Sequence, residues 1–144
     1  MLVKEAMSRD VKTVGPDQAL QEAARIMLDI DVGALPVGDS DKLVGMITDR
    51  DIAVRAVAAG KGPSAKVSEV MSREVRYCFE DEDTAHVARN MADQQIRRLP
   101  VVDRNKRLVG ILALADLATS AKTGQATAAL SGISQAGGSH SQSA

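Results

Sequence analysis

The chain has 144 residues, enough for a domain of ordinary size that buries about two-thirds of its unfolded surface. Eighteen basic against nineteen acidic residues leave a formal charge of -1, which gives no electrostatic drive for binding a phosphate backbone, and the only two aromatics, Tyr77 and Phe79, cannot build a base-stacking platform, so nucleic acid is not the expected partner. One cysteine, Cys78, excludes an intramolecular disulfide, and His86 and His140 are too far apart in sequence for metal-ligand spacing, which points to a reducing compartment without structural zinc.

At the start of the chain, residues 1–5 lack a basic segment leading into a long apolar run, and no later stretch approaches the roughly 18 apolar residues of a membrane span. A cytoplasmic protein with no membrane contact is expected. Residues 11–14 are strand-like and are followed by the turn chemistry of Gly15-Pro16-Asp17. Leu20, Ala23, Ala24 and Met27 then recur at i, i+3, i+4 and i+7, which predicts an amphipathic helix with one core stripe. Residues 35–37 and 43–47 bracket the polar run Gly38-Asp39-Ser40-Asp41-Lys42 and predict a hairpin of two buried strands. A second helix is expected from about residue 49 to residue 59, and Gly60-Lys61-Gly62-Pro63-Ser64 breaks it.

The same series then recurs. Residues 3–37 overlay residues 67–101 at an offset of 64, with Met7 on Met71, Val11 on Val75, Asp17 on Asp81, Met27 on Met91 and Leu35-Pro36-Val37 on Leu99-Pro100-Val101. One inserted residue in the second hairpin turn, around Asp103-Arg104-Asn105-Lys106, moves the offset to 65 and sets Leu43-Val44-Gly45 on Leu108-Val109-Gly110 and Asp51 on Asp116. Thr84, Val87, Ala88 and Met91 repeat the helical stripe, residues 75–79 the short strand, and residues 114–122 the closing helix. The fold class is therefore α/β (α+β): two β-α-β-β-α repeats, neither able to bury its sheet alone, packed about a pseudo-two-fold axis. Repeat 1 spans 1–59, a linker 60–66, repeat 2 67–122. The remainder, 123–144, is rich in Gly, Ser, Ala and Gln, with Ala126, Ala129, Leu130 and Ile133 hinting at a short helix; its composition suits a disordered tail or a docking segment.

The motifs Asp31-Val32-Gly33-Ala34-Leu35-Pro36-Val37 and Gln95-Ile96-Arg97-Arg98-Leu99-Pro100-Val101, each followed by a hairpin to Gly45-Met46-Ile47-Thr48-Asp49-Arg50-Asp51 or Gly110-Ile111-Leu112-Ala113-Leu114-Ala115-Asp116, resemble the CBS domain, the repeat named after cystathionine β-synthase and found in pairs called Bateman modules. The resemblance covers about residues 3–120. It implies a cleft between the repeats that accepts AMP, ADP, ATP or S-adenosylmethionine, a homodimer, and regulation of another protein. No cofactor is required. Without an attached output domain, such a pair acts on a separate, unknown partner.

Thr48-Asp49-Arg50-Asp51 has two compatible readings. Thr48 and Asp51 have capping-box spacing at a helix start. The same place offers free backbone N–H groups to an anion and a carboxylate to ribose hydroxyls. By resemblance Asp51 holds a ribose, Thr48 touches a phosphate and Arg50 is a further phosphate partner. The second copy keeps Asp116 but has Ala113 in place of the hydroxyl. It carries Arg97-Arg98, suited to bidentate phosphate recognition, where the first copy has Gly33-Ala34, which leave room for an adenine ring beside Pro36. Pro100 takes the place of Pro36. Thr13 faces the cleft in this family, although β-propensity alone explains a threonine there. Its counterpart Tyr77 shares a strand face with Phe79, and packing is the expected role for both and for Cys78. His86 is read as a solvated helix residue. Neither a nucleophile and base pair, a metal cluster nor a P-loop is present, so no enzymatic activity is expected. Against the sensor stands a second reading, a ligand-free dimerisation scaffold, which Ala113 favours.

Overall fold

Two hairpins dominate the structure, and each is built from the apolar runs that the repeat carries twice. The computed structural model describes residues 1–113 and residue 117. The closing helix expected over 114–122, Asp116 within it, and the tail from 123 lie outside the described residues, Leu117 excepted. The architecture is α+β, and the described residues divide into two units: Lys12–Val75, and Met1–Val11 with the described residues from Arg76 to Leu117.

In the unit Lys12–Val75, strand β1 (Ala34–Asp39) pairs antiparallel with β2 (Lys42–Thr48), with Ala34 opposite Thr48, Leu35 opposite Ile47 and Val37 opposite Gly45. Ser40 and Asp41 join them with φ of 51° and 67°. Two successive positive φ values in a two-residue loop are the signature of the type I′ turn, whose twist suits a hairpin. The Leu20–Ile30 helix lays Leu20, Ala23 and Met27 on the buried Leu35, Val37 and Ile47. It ends at Asp31, whose left-handed φ of 55° caps the last turn and is tolerated better by Asp than by most residues. The strand expected over residues 11–14 is reduced to Val14, which bridges Val37: its N–H donates to the Pro36 carbonyl (3.2 Å) and its own carbonyl accepts from Gly38 (2.9 Å).

The helix after β2 starts at Asp49, as the sequence leads one to expect, but over Asp51–Val57 it takes the wider i→i+5 form, in which the Ala58 N–H donates to the Ala53 carbonyl at 3.0 Å. Such wide turns are rare. The unit is completed from the opening of the second copy. Val67, Val70 and Met71 are buried in this core, and Ser72 exchanges two backbone hydrogen bonds with Met46 at 2.8 and 2.9 Å.

The other unit has the same plan. Val3 and Met7 from the opening of the chain are buried with Val87, Ala88 and Met91 of the Thr84–Gln94 helix and with Leu99, Val101 and Leu112 of its hairpin, and Ser8 exchanges two hydrogen bonds with Ile111 at 2.9 Å. Asp83 caps the helix by accepting from the Ala85 N–H at 3.1 Å, and Gln95, φ 55°, ends it at the position of Asp31. Strands β4 (Arg98–Val102) and β5 (Leu108–Ala113) are antiparallel, and β3 (Cys78–Phe79), all that forms of the strand expected over 75–79, lies parallel to β4. The inserted residue that shifts the repeat offset lies in the β4–β5 loop. There Asp103 Oδ1 accepts from the Asn105 and Arg107 N–H groups at 2.8 and 3.0 Å, and Lys106 has φ 63°, the longer hairpin loop with one left-handed residue.

Thr84 opens this unit's helix where the first copy has Leu20. Its side chain is fully buried, and among the described residues its hydroxyl has no hydrogen-bond partner. A buried, unsatisfied hydroxyl is costly relative to a methyl of the same shape. Thr84→Val is expected to stabilise the protein by about 1 kcal/mol. The check is a urea titration: a higher midpoint at unchanged slope is expected, and a lower midpoint would mean that the hydroxyl is satisfied.

Candidate functional site

The end of β2 and the start of the helix after it carry Thr48, Arg50 and Asp51. The Thr48 N–H donates to Asp51 Oδ2 and the Asp51 N–H donates to Thr48 Oγ1, both at 3.0 Å, so the capping box inferred from the spacing is formed in both directions. The second oxygen of Asp51, Oδ1, is 3.8 Å from Arg55 Nη1 one turn along the helix. Thr48 and Asp51 are half-buried, which holds the carboxylate in one orientation, whereas Arg50 is exposed and its N–H donates to Asp49 Oδ1 at 2.8 Å.

Ala34 and Pro36 lie on β1 beside this corner, and Gly33 immediately precedes the strand. Ala34 faces Thr48 across the ladder, Pro36 is buried, and the Gly33 carbonyl accepts from the Asp49 N–H at 2.9 Å. A Cβ added at Gly33 would sit 3.0 Å from Asp49 Oδ2. The absence of a side chain at Gly33 therefore makes space for the Asp49 carboxylate, a neighbour that the sequence pattern did not reveal. Thr13, exposed, immediately precedes Val14 and so stands next to the β1 edge at Pro36.

In the other unit Arg97 and Arg98 are exposed, with Arg98 at the start of β4 opposite Ala113, and Pro100 is buried opposite Ile111. Tyr77 and Phe79 form an edge-to-face pair with centroids 5.6 Å apart. Arg104 lies 4.2 Å over the Phe79 ring and Lys106 Nζ 5.4 Å over Tyr77. Arg104 also donates two hydrogen bonds to Asp81, at 2.9 and 2.7 Å, and these hold the Asp81 carboxyl below the usual carboxylate range. Cys78 points the opposite way and is buried; desolvation, with the Glu82 charge adding to it, pushes its thiol up to about 12, so it stays protonated and unreactive at neutral pH. His86 is exposed on its helix, 3.6 Å from Glu82 and 3.3 Å from Asn90.

The sequence pattern also missed an open pocket of about 420 Å³ in the unit Lys12–Val75, lined by Arg55, Ser68, Glu69, Met71, Ser72, Arg73 and Glu74. Only Arg55, four residues after Asp51, had a spacing that could have drawn attention to it.

Comparison with known proteins places this geometry. The CBS domain model matches residues 3–57 and 67–122. The chain is 47% identical over 133 residues to the CBS domain-containing protein YhcV of Bacillus subtilis, covering 92% of this chain and 94% of that protein. Among solved structures it is similar to Hypoxic Response Protein I with two coordinated zinc ions (TM-score 0.72, 38% identity, 82% of this chain and 97% of that one). It is equally similar in sequence to the CBS domain pair of protein MJ0100 in complex with 5′-methylthioadenosine and S-adenosyl-L-methionine (TM-score 0.69, 38% identity, 82% and 93% covered). Among the described residues no three His, Cys, Asp or Glu side chains are grouped to hold a metal ion. Among the same residues no helix is long and apolar enough to cross a membrane.

Proposed function

The chain belongs to the CBS domain family, and on that premise we propose that it is a regulatory module that binds an adenosine-containing small molecule, of the class of AMP, ADP, ATP or S-adenosylmethionine, and acts through a separate protein. The observation that carries this reading is the Thr48–Asp51 pair. Its reciprocal hydrogen bonds fix an aspartate at a strand-to-helix corner, where a carboxylate of set orientation suits the vicinal hydroxyls of a ribose. Thr48 and Arg50 then stand where an attached anionic group would lie, and Arg97 and Arg98 are exposed cations available to the same purpose in the second copy. The adenosyl ligands of the MJ0100 pair support the ligand class.

The module works by binding and not by turnover. Cys78, its one thiol, is buried and held protonated, which leaves it unsuited to nucleophilic attack. A bound ligand then changes the output only by its differential affinity for two states of the module.

The second reading, a ligand-independent scaffold in the cytoplasm, has its own observation. Leu28, Ile30, Val54 and Val57, on the two helices of the first copy, are 77%, 41%, 49% and 68% exposed. Large apolar side chains gathered on one unit favour contact with another protein surface, and a second copy of the chain is the proposed occupant. Calorimetric titration with the four ligands, read beside the sedimentation mass, separates sensor from scaffold.

A further inference from the structure

Asp49 is fixed from two sides. Its N–H donates to the Gly33 carbonyl at 2.9 Å, and its Oδ1 accepts from the Arg50 N–H at 2.8 Å. The carboxylate lies against the bare face of Gly33, where an added Cβ would be 3.0 Å from Oδ2, 3.4 Å from Cγ and 3.5 Å from Oδ1. Asp49 is exposed, and its Oδ2 has no hydrogen bond or ion pair among the described residues. The cap of the helix is formed by Thr48 and Asp51 without it.

The pairing is peculiar to the first copy. At the offsets of the repeat Gly33 becomes Arg97 and Asp49 becomes Leu114, so the second copy has neither the missing side chain nor the carboxylate that takes its place. With Oδ1 engaged, the carboxylate has one oxygen left to accept an N–H. Adenine suits that, because its exocyclic N6 amino group is the one donor on its pairing edge. Guanine presents N1–H and an amino group side by side, which a carboxylate matches with both oxygens open.

We propose that Asp49 is the base-selecting residue of the first copy, its Oδ2 accepting from the exocyclic amino group of an adenine that lies over Gly33 while Asp51 holds the ribose. The inference rests on the ligand-binding reading above and deepens it, by tracing the preference for adenine to one side chain and to the glycine that makes room for it.

The test is calorimetric titration of the full chain with AMP, with purine riboside 5′-monophosphate, which differs from AMP only in lacking the amino group, and with GMP. The wild type is expected to bind AMP about tenfold or more tightly than either analogue, as a hydrogen bond to a charged acceptor allows. Asp49→Asn is expected to reduce the ratio of AMP to purine riboside affinity to about twofold or less. The ratio cancels the effect of the lost charge, which acts on all the monophosphates alike. Asparagine keeps an oxygen for the Arg50 N–H at an exposed position, so the fold is kept. Gly33→Ala, which displaces the carboxylate without removing its charge, is expected to lower the ratio in the same way. Equal affinity for AMP and purine riboside monophosphate, tighter binding of GMP than of AMP, or a ratio that survives both substitutions would each overturn the assignment while leaving the sensor reading intact. So would binding of S-adenosylmethionine without AMP, since its adenine carries the same amino group. Absence of binding by all four would instead remove the ligand-binding reading, and this inference with it.

Discussion

Gly45→Ala and Gly110→Ala are each expected to cost about 2–3 kcal/mol of folding stability, more than any other single methyl added at a described glycine. Both glycines sit mid-strand, Gly45 opposite Val37 and Gly110 opposite Val101, where a side chain would ordinarily help and not harm. The reason lies in the segment that crosses each strand. A Cβ at Gly45 would lie 2.8 Å from the Ser72 carbonyl oxygen and 2.9 Å from Met71 Sδ; at Gly110 it would lie 2.8 Å from the Ser8 carbonyl and 2.5 Å from Met7 Sδ. The methionine can swing away, but the carbonyl belongs to the pair of backbone hydrogen bonds that Ser72 makes with Met46, or Ser8 with Ile111, and moving it breaks the pairing. Gly62→Ala is the control, since nothing lies within 4 Å of a Cβ there and its effect is expected to stay within about 0.5 kcal/mol. Urea midpoints for the three variants decide the matter, and a Gly45→Ala midpoint equal to that of Gly62→Ala would contradict the close approach.

Asp51→Ala is expected to have two separable effects. Loss of the acceptor for the Thr48 N–H removes one arm of the capping box and costs about 1 kcal/mol of stability. Loss of the carboxylate that receives the ribose weakens adenosine-ligand binding by about tenfold to a hundredfold, the range for a hydrogen bond to a charged group. Thr48→Val separates the two, because it removes the hydroxyl that accepts from the Asp51 N–H but leaves the carboxylate in place. It is expected to cost similar stability and much less affinity. Equal affinity losses in the two variants, in proportion to their stability losses, would reduce Asp51 to a helix cap.

Much of this architecture is legible in the sequence, because repeats, helical stripes and hairpin turns are local signals. The single inserted residue that shifts the offset from 64 to 65 accounts for the contrast between the two-residue turn at Ser40-Asp41 and the longer Asp103–Arg107 loop. The completion of each unit is not local. Met7 and Met71 hold the same place in their copies and carry the same pattern, so nothing in the sequence says that Met71 packs with the first hairpin and Met7 with the second. Strand length at residues 11–14 and 75–79 departs from expectation for a related reason: β-propensity is present, but the bridges to a neighbouring strand fall at Val14 and at Cys78–Phe79.

The candidate site divides along the same line. Thr48 and Asp51 are three residues apart, and their spacing foretold the reciprocal hydrogen bonds. Gly33 and Asp49 are separated by a whole hairpin, so the carboxylate that fills the space beside Gly33 left no trace in the pattern. The pocket joins Arg55 to residues 68–74 across the linker, again without a local signature.

The central claim, that this module senses an adenosine-containing ligand, is tested most directly by isothermal titration of the purified chain with AMP, ADP, ATP and S-adenosylmethionine. Saturable binding of at least one of them with a micromolar dissociation constant is the expected result, with the stoichiometry giving the number of working half-sites. No measurable binding of any of the four, from a protein that sediments as a stable dimer, would contradict the claim and leave the scaffold in its place.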